Sequence, residues 1–353
     1  MALYYYGNTR LRARISQLFS IQMLESLADL IKIDSLISSL SKTHYKSSIE
    51  ISLTYAHGYG CITETLQREL KEVRSTLERF YEKDLWEKIK VIFLRVDLQN
   101  IKSIVRGISH GARVDTILNS LSPLGTVQDQ LLSRIAKSKN IADAIDRMAV
   151  YKLDFADELL ALKSSERSCC SSEVERTLEI WYFKKITSIL SKRDENTELL
   201  RKYNAIEADI VNLNILLRFI KAPTSPEIEN HPIDYYIIDS GNFPRNLIVK
   251  LSKENSVKNA IIRLASSNYR DYLLEALPCF EENGLLSEFE NKIRIYALKW
   301  LAFLPKLNPF GIGVPMGYVA LKKSEIRNIR WIAKGIYSGF EPEYIKENIE
   351  RIG

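Results

Sequence analysis

Cysteine, histidine, glycine and proline are all sparse in this 353-residue chain, and each scarcity removes a class of function. The four cysteines, Cys61, Cys169, Cys170 and Cys279, include no Cys-x-x-Cys pair, so neither a zinc ribbon nor a dithiol redox centre is written in their spacing. With no secretory leader recognisable, the expected setting is a reduced, cytosolic one rather than a disulfide scaffold. His44, His57, His110 and His231 lie far apart and lack metal-ligand spacing, and turn or surface positions are expected for all four. No cofactor and no metal are expected.

Long apolar runs are missing too. The longest uncharged stretch, from Leu307 to Leu321, is interrupted by Pro309, Gly311, Gly313, Pro315 and Gly317. A membrane-spanning helix needs about 20 apolar residues, so none is expected. Within it, Gly311-Ile-Gly-Val-Pro-Met-Gly317 has no Lys-Ser/Thr ending and no strand before it, which argues against a phosphate-binding loop and for a connecting loop. One-signed charge is absent as well, since 50 bases face 44 acids for a net +6. They are interspersed as on solvated helix faces, and no zinc finger, RNA-recognition signature or basic tail points to nucleic acid. With only 14 Gly and 10 Pro, long stretches are free of helix breakers, and the fold class expected is all-α.

What the chain does contain is a segment written three times. Asp97-Leu-Gln-Asn-Ile-Lys-Ser-Ile-Val-Arg106 is echoed by Asp209-Ile-Val-Asn-Leu-Asn-Ile-Leu-Leu-Arg218 and by Glu325-Ile-Arg-Asn-Ile-Arg-Trp-Ile-Ala-Lys334. The spacings, 209 − 97 = 112 and 325 − 209 = 116, are each about one small domain. Tyr45, Tyr151 and Tyr269 precede the three acids in order, as do Glu64, Glu175 and Glu290. Three pseudo-repeated helical domains follow, expected over residues 1–122, 123–236 and 237–353. Pro123 and Gly125 mark the first boundary, and the Pro-rich run 222–232 is the linker preceding the second.

Within each copy the apolar residues, such as Leu98, Ile101, Ile104 and Val105, paint one stripe of a helix. The acid falls inside that stripe and the Asn at its edge. Carboxylates and amides on a packing face are costly unless hydrogen-bonded. Asp97, Asn100, Arg106, Asp209, Asn212, Arg218, Glu325 and Asn328 are therefore read as structural locks that hold neighbouring turns or helices. An active site seldom needs three equivalent acids on separate domains, so general acid–base catalysis is the weaker reading. Arg10, Arg12 and Arg14 spread around the first helix instead of lining one face, and are candidates for partner contacts or for flanking the core.

Several blocks in order carry a family resemblance: Tyr6-Gly-Asn-Thr-Arg-Leu-Arg-Ala-Arg14, Leu40-Ser-Lys-Thr-His-Tyr45, the Asp97–Arg106 segment, Glu175-Arg-Thr-Leu-Glu-Ile-Trp-Tyr-Phe183 with Asn212–Arg218, and Gly317-Tyr-Val-Ala-Leu-Lys-Lys-Ser-Glu-Ile-Arg-Asn-Ile-Arg330. The chain resembles the C subunits of archaeal (A-type) and vacuolar-type rotary ATPases, relatives of the vacuolar ATPase d subunit, over nearly its whole length. Two features depart from the pattern: Ala149-Val-Tyr151 stands where the first repeat has Thr43-His-Tyr45, and Glu179 stands where the family usually has Asp. The resemblance implies a funnel-shaped body of three helical domains, one copy per complex. It would sit peripherally at the cytoplasmic face of the cell membrane, between the central axle and the proteolipid ring. Such a body turns with the rotor, couples proton flow to ATP synthesis or hydrolysis, and is not an enzyme by itself. A helical adaptor of some other complex is the alternative.

Overall fold

The computed structural model describes residues 4–165, 170–191, 194–221, 231–264 and 267–352, which leaves most of the expected 222–232 linker outside. Among the described residues there is no strand, and one order of helices recurs three times. A short helix, three further short helices and two long ones come first: α1 (Tyr5–Ile15), α2 (Ile21–Ala28), α3 (Ile33–Leu40), α4 (Lys46–Ser52), α5 (Gly58–Phe80) and α6 (Lys83–Ser109). The order repeats in α7 (Val114–Ser120), α8 (Asp129–Ala136), α9 (Ile141–Val150), α10 (Ala156–Ser164), α11 (Ser171–Ile189) and α12 (Glu195–Lys221). It returns, opened by a 3-10 turn (Ile233–Tyr235), in α13 (Arg245–Leu251), α14 (Val257–Leu264), α15 (Arg270–Asn283), α16 (Ser287–Leu307) and α17 (Gly313–Ser338), and α18 (Pro342–Glu347) closes the chain.

Local chemistry sets many of these ends. Ser20 and Asn140 cap α2 and α9 by accepting the backbone N–H of Met23 and Asp143. Asp194 receives both the N–H and the hydroxyl of Thr197 at the start of α12, each at 2.9 Å. Gly339 adopts φ +70° just past α17, a left-handed stop that glycine takes without steric cost.

The start of α17 corrects the sequence reading. The stretch expected as a connecting loop is already helical from Gly313 onward. Pro315 sits in the first turn, where a missing N–H breaks no helical bond. Gly317 is required because α17 crosses α16 so closely that a Cβ there would overlap the Pro305 ring. Proximity of two backbones, rather than turn formation, explains these glycines.

Contacts divide the chain into two compact units. One comprises Met1–Asp97, Leu121–Val127 and Leu298–Gly353. Its core gathers Leu24, Leu27, Leu36, Leu40, Ile49, Ile62 and Leu66 from α2 to α5 around Ile326, Ile329, Ile332 and Ala333 of α17. The apolar stripe of the third repeated segment is thus buried against the first helices of the chain. The other unit comprises Leu98–Ser120 and Gln128–Ala297. There Leu213, Leu216 and Leu217 of α12 are buried, as are Ile248, Ile261 and Leu273 of α13, α14 and α15.

Candidate functional site

The three repeated acids lie on α6, α12 and α17, and all three are buried: Asp97 is 4% exposed, Asp209 0% and Glu325 4%. Each accepts a backbone N–H from the same place in the fold. Asp97 Oδ1 takes the N–H of Val127 at 3.0 Å, Asp209 Oδ1 that of Phe243 at 3.0 Å, and Glu325 Oε2 that of Phe19 at 2.6 Å. Val127, Phe243 and Phe19 each stand two residues before a helix, α8, α13 and α2 respectively. The long helices α6, α12 and α17 therefore anchor the segments that lead into α8, α13 and α2.

A hydroxyl completes each anchor. Tyr45 donates to Glu325 Oε1 and Tyr269 to Asp209 Oδ2, both at 2.6 Å. The Asn242 amide adds a second donor to Asp209 Oδ2, at 2.7 Å. At Asp97 the donor is instead the Thr126 hydroxyl, at 2.6 Å from Oδ2, with the Thr126 N–H at 2.7 Å from Oδ1. The side chain of Tyr151 makes no hydrogen bond among the described residues. Burial and the facing carboxylate push the Tyr45 and Tyr269 hydroxyls well up, so both remain protonated donors. Gly241 is needed at the second anchor, because a Cβ there would overlap Asp209 Oδ1.

One turn further along, the asparagines make paired contacts. Asn212 donates to the carbonyl of Ile238 and accepts its N–H, both at 2.8 Å. Asn328 does the same with Glu350, at 3.0 and 2.8 Å. Each carboxamide thus satisfies both polar groups of one residue, as a strand partner would. Asn100 is likewise buried, at 3% exposed.

The bases behave less uniformly. Arg106 holds Glu175 through Nε and one terminal guanidinium nitrogen, with Nε at 2.6 Å from Oε1. Lys102 reaches Glu179 at 2.7 Å. Arg218 is exposed and has no ion pair among the described residues, while Asn214 takes Glu290 at 3.0 Å.

The electrostatics separate the anchors. Burial pushes Asp97 and Asp209 above the usual aspartate range, and their hydroxyl and N–H donors offset that only in part. Burial opposes ionisation of Glu325 as well, but hydrogen bonding to His44, the Lys322 ammonium, the Tyr45 hydroxyl and the Phe19 N–H outweigh it and bring Glu325 to about 2. Lys322 is 3% exposed, 2.9 Å from Glu325 Oε1, 3.0 Å from Glu69 Oε2 and 3.0 Å from His44 Nε2. Nothing in the sequence pattern singles out Lys322, Glu69, Thr126 or Asn242, because their partners lie far off along the chain. His44 occupies a turn as expected, yet its ring is part of this cluster.

Arg10, Arg12 and Arg14 engage rings and oxygens. Arg10 lies over the Tyr6 ring at 4.5 Å, Arg14 over Phe80 at 5.7 Å, and Arg12 donates to the Pro305 and Pro309 carbonyls at 3.4 and 3.3 Å. Among the described residues, no group of three or more His, Cys, Asp or Glu side chains is placed to hold a metal ion, and no helix is long and apolar enough to cross a membrane.

Buried polar anchors on three long helices belong to an all-α protein. The family model for the ATP synthase (C/AC39) subunit matches residues 7–348, and the chain belongs to that family. Its relatives include the A-type ATP synthase C subunit of Haloquadratum walsbyi, 25% identical over 97% of this chain and 96% of the relative. Those of Methanocaldococcus jannaschii and Pyrococcus abyssi are 21% and 24% identical, each over 98% of this chain and over 86% and 90% of their own lengths.

Proposed function

We propose that this chain is a non-catalytic central-stalk component of an A/V-type rotary ATP synthase. It joins the axle subunits to the membrane proteolipid ring and passes torque between them during proton-coupled ATP synthesis or hydrolysis. In this reading it is built of three repeats, spanning 1–122, 123–236 and 237–353, and is present once per complex, peripheral to the cytoplasmic face. Support comes from full-length membership of the family and from relatives named as C subunits of A-type ATP synthases.

The observation that carries the mechanical part is the anchoring of each long helix to a segment that opens a short one. A torque-bearing element must deform little under load, and close-packed helices tied by satisfied buried polar groups resist shear between neighbours. Three anchors, each joining the end of one repeat to the opening of the next, provide that resistance repeat by repeat. The test is isolation of the intact enzyme from membranes through a tag on this chain. Axle subunits and proteolipid should co-purify, with one tagged chain per particle in electron micrographs. Recovery of the chain in a particle lacking both overturns the reading.

A further inference from the structure

At one buried position α12 departs from α6 and α17. Five residues before the three repeated acids stand Ile92, Asn204 and Ala320. All three are buried, at 9%, 6% and 3% exposed. The first and last are apolar, so the packing of a long helix does not by itself call for an amide there. Asn204 is also unsatisfied, because its Oδ1 is buried without a hydrogen-bond partner among the described residues. A buried polar atom in that state costs stability, and a residue that breaks a local rule without structural return is where function is expected.

Asn204 lines an open cleft of about 1110 Å³. Thr187 and Leu190 at the end of α11, Glu198 and Lys202 of α12, and Ser240 line it too. All of these residues lie inside one compact unit. The walls are fixed in advance. Arg201 donates to the Leu190 carbonyl, Asp194 caps α12 through Thr197, and Ser240 is followed closely by Asn242, whose amide donates to Asp209.

The lining narrows the choice of occupant. The cleft is larger than the roughly 300–1,000 Å³ of most small-molecule sites. Asp194, Glu195 and Glu198 line it together with Arg201 and Lys202, so charge of neither sign prevails. Glu198 pairs with Arg201 at 3.0 Å, and both Asp194 oxygens hold Thr197. Neither a simple anion nor a simple cation is selected. The chain itself shows what an amide on such a helix takes. Asn212, eight residues further along α12, donates to the Ile238 carbonyl and accepts its N–H, both at 2.8 Å. Asn328 holds Glu350 in the same way, at 3.0 and 2.8 Å. Each grips one residue of passing backbone, whereas Asn204 offers the same carboxamide with no backbone against it. Rotation about its Cβ–Cγ bond brings either the nitrogen or the oxygen to the cleft.

We infer that this cleft binds an extended segment of a partner polypeptide, with Asn204 gripping the N–H and carbonyl of one of its residues. Main-chain hydrogen bonds supply the affinity in such recognition, and side chains seated beside Leu190, Lys202 and Ser240 supply the specificity. The inference stands apart from the rotor reading, since it names the chemistry of the bound segment and not the protein that carries it.

The experiment uses the full chain, and its probe is an array of overlapping 12-residue peptides covering the sequences of the proteins that co-purify with the tagged chain. Peptides that bind are then titrated in solution against wild type, Asn204→Ile and Asn204→Ala. Thermal melting confirms that the variants are folded, and the alanine variant keeps the test open if the larger isoleucine disturbs the packing. The inference expects at least one peptide to bind wild type and to bind the folded variants about tenfold more weakly or worse. Methylating the backbone nitrogen of one peptide residue should reproduce that loss, whereas replacing the side chain of the same residue by alanine should not. Array peptides that bind wild type and the folded variants equally, or an array with no binder, overturn the inference and leave the rotor reading intact. A loss that follows peptide side chains but no backbone methylation overturns the backbone grip. Co-purifying proteins that belong to no rotary ATP synthase, with the Asn204-dependent peptide still found among them, overturn the rotor reading and uphold the inference.

Discussion

Tyr45 donates a hydrogen bond to Glu325 at 2.6 Å across 280 residues of sequence, and in doing so fastens the beginning of the chain to its end. Tyr269 makes the same bond to Asp209 at 2.6 Å across 60 residues. Both hydroxyls are buried and both acceptors are carboxylates. Replacing Tyr45 by Phe leaves a buried carboxylate oxygen short of a donor, and should cost about 1.5–3 kcal/mol in urea unfolding. Tyr151→Phe should change stability by less than about 0.5 kcal/mol, since that hydroxyl has no partner to lose among the described residues. Thr126→Val should resemble Tyr45→Phe, because Thr126 supplies the hydroxyl to Asp97. Equal costs for Tyr45→Phe and Tyr151→Phe would contradict the assignment.

The asparagines offer a cleaner substitution. Asn212→Leu leaves the N–H and carbonyl of Ile238 without their partner in a buried place, and Asn328→Leu removes the same pair of bonds from Glu350 in a half-buried one. Each should cost roughly 2–4 kcal/mol and lower the melting temperature by several degrees. Binding of the folded variants to partner subunits should be little altered. Unchanged melting with lost assembly would make these residues contacts instead of anchors.

Acid should act unequally on the anchors, and the sign follows from proton uptake. Glu325 titrates near 2 when folded and near 4.5 in its ordinary state, so the unfolded chain binds more protons between those values. Its contribution is complete above about pH 4.5 and is lost as pH falls toward 2. Asp97 and Asp209 are raised, so the folded chain binds more protons just above the ordinary aspartate value. Their ionisation therefore weakens the fold as pH rises through their native values. Denaturant unfolding of Glu325→Gln between pH 2 and 6 should show a flatter acid limb than wild type. Asp209→Asn should show the opposite change, a steeper net gain with pH. An unaltered slope in Glu325→Gln would refute the ionised state of that anchor.

Much of this architecture is legible in the sequence, and the remainder is hidden for physical reasons. Periodicity places Asp97, Asp209 and Glu325 on buried helix faces because an acid in an apolar stripe must find donors. The donors themselves, the N–H groups of Val127, Phe243 and Phe19, carry no side-chain signature. Gly313, Pro315 and Gly317 read as a loop because breakers usually mark one, yet here they permit two helices to cross at close range. Lys322 looks like a solvated base beside Lys323, and only the fold shows that it points into the core. Arg218 closes its segment as Arg106 does, but the helix face that carries it is open, and no acid is paired with it among the described residues.

The Lys322 cluster tests whether the third anchor is an ionic one. Lys322→Met removes the ammonium and leaves Glu69 and Glu325, 12% and 3% exposed in their side chains, facing one another without it. Breaking one side of a buried ion pair typically costs about 3–5 kcal/mol, far more than an exposed pair. The same substitution at Lys323, which is exposed, should cost less than about 1 kcal/mol. Combining Lys322→Met with Glu325→Gln removes both charges while keeping an oxygen for the Tyr45 and Phe19 donors. That double variant should therefore recover a large part of the loss, and an amide exchange experiment should show the restored protection in α2, α3 and α5, whose core surrounds α17. Strict additivity of the two single losses would mean that Lys322 and Glu325 are not energetically coupled, and the anchor would then be held by hydrogen bonds alone.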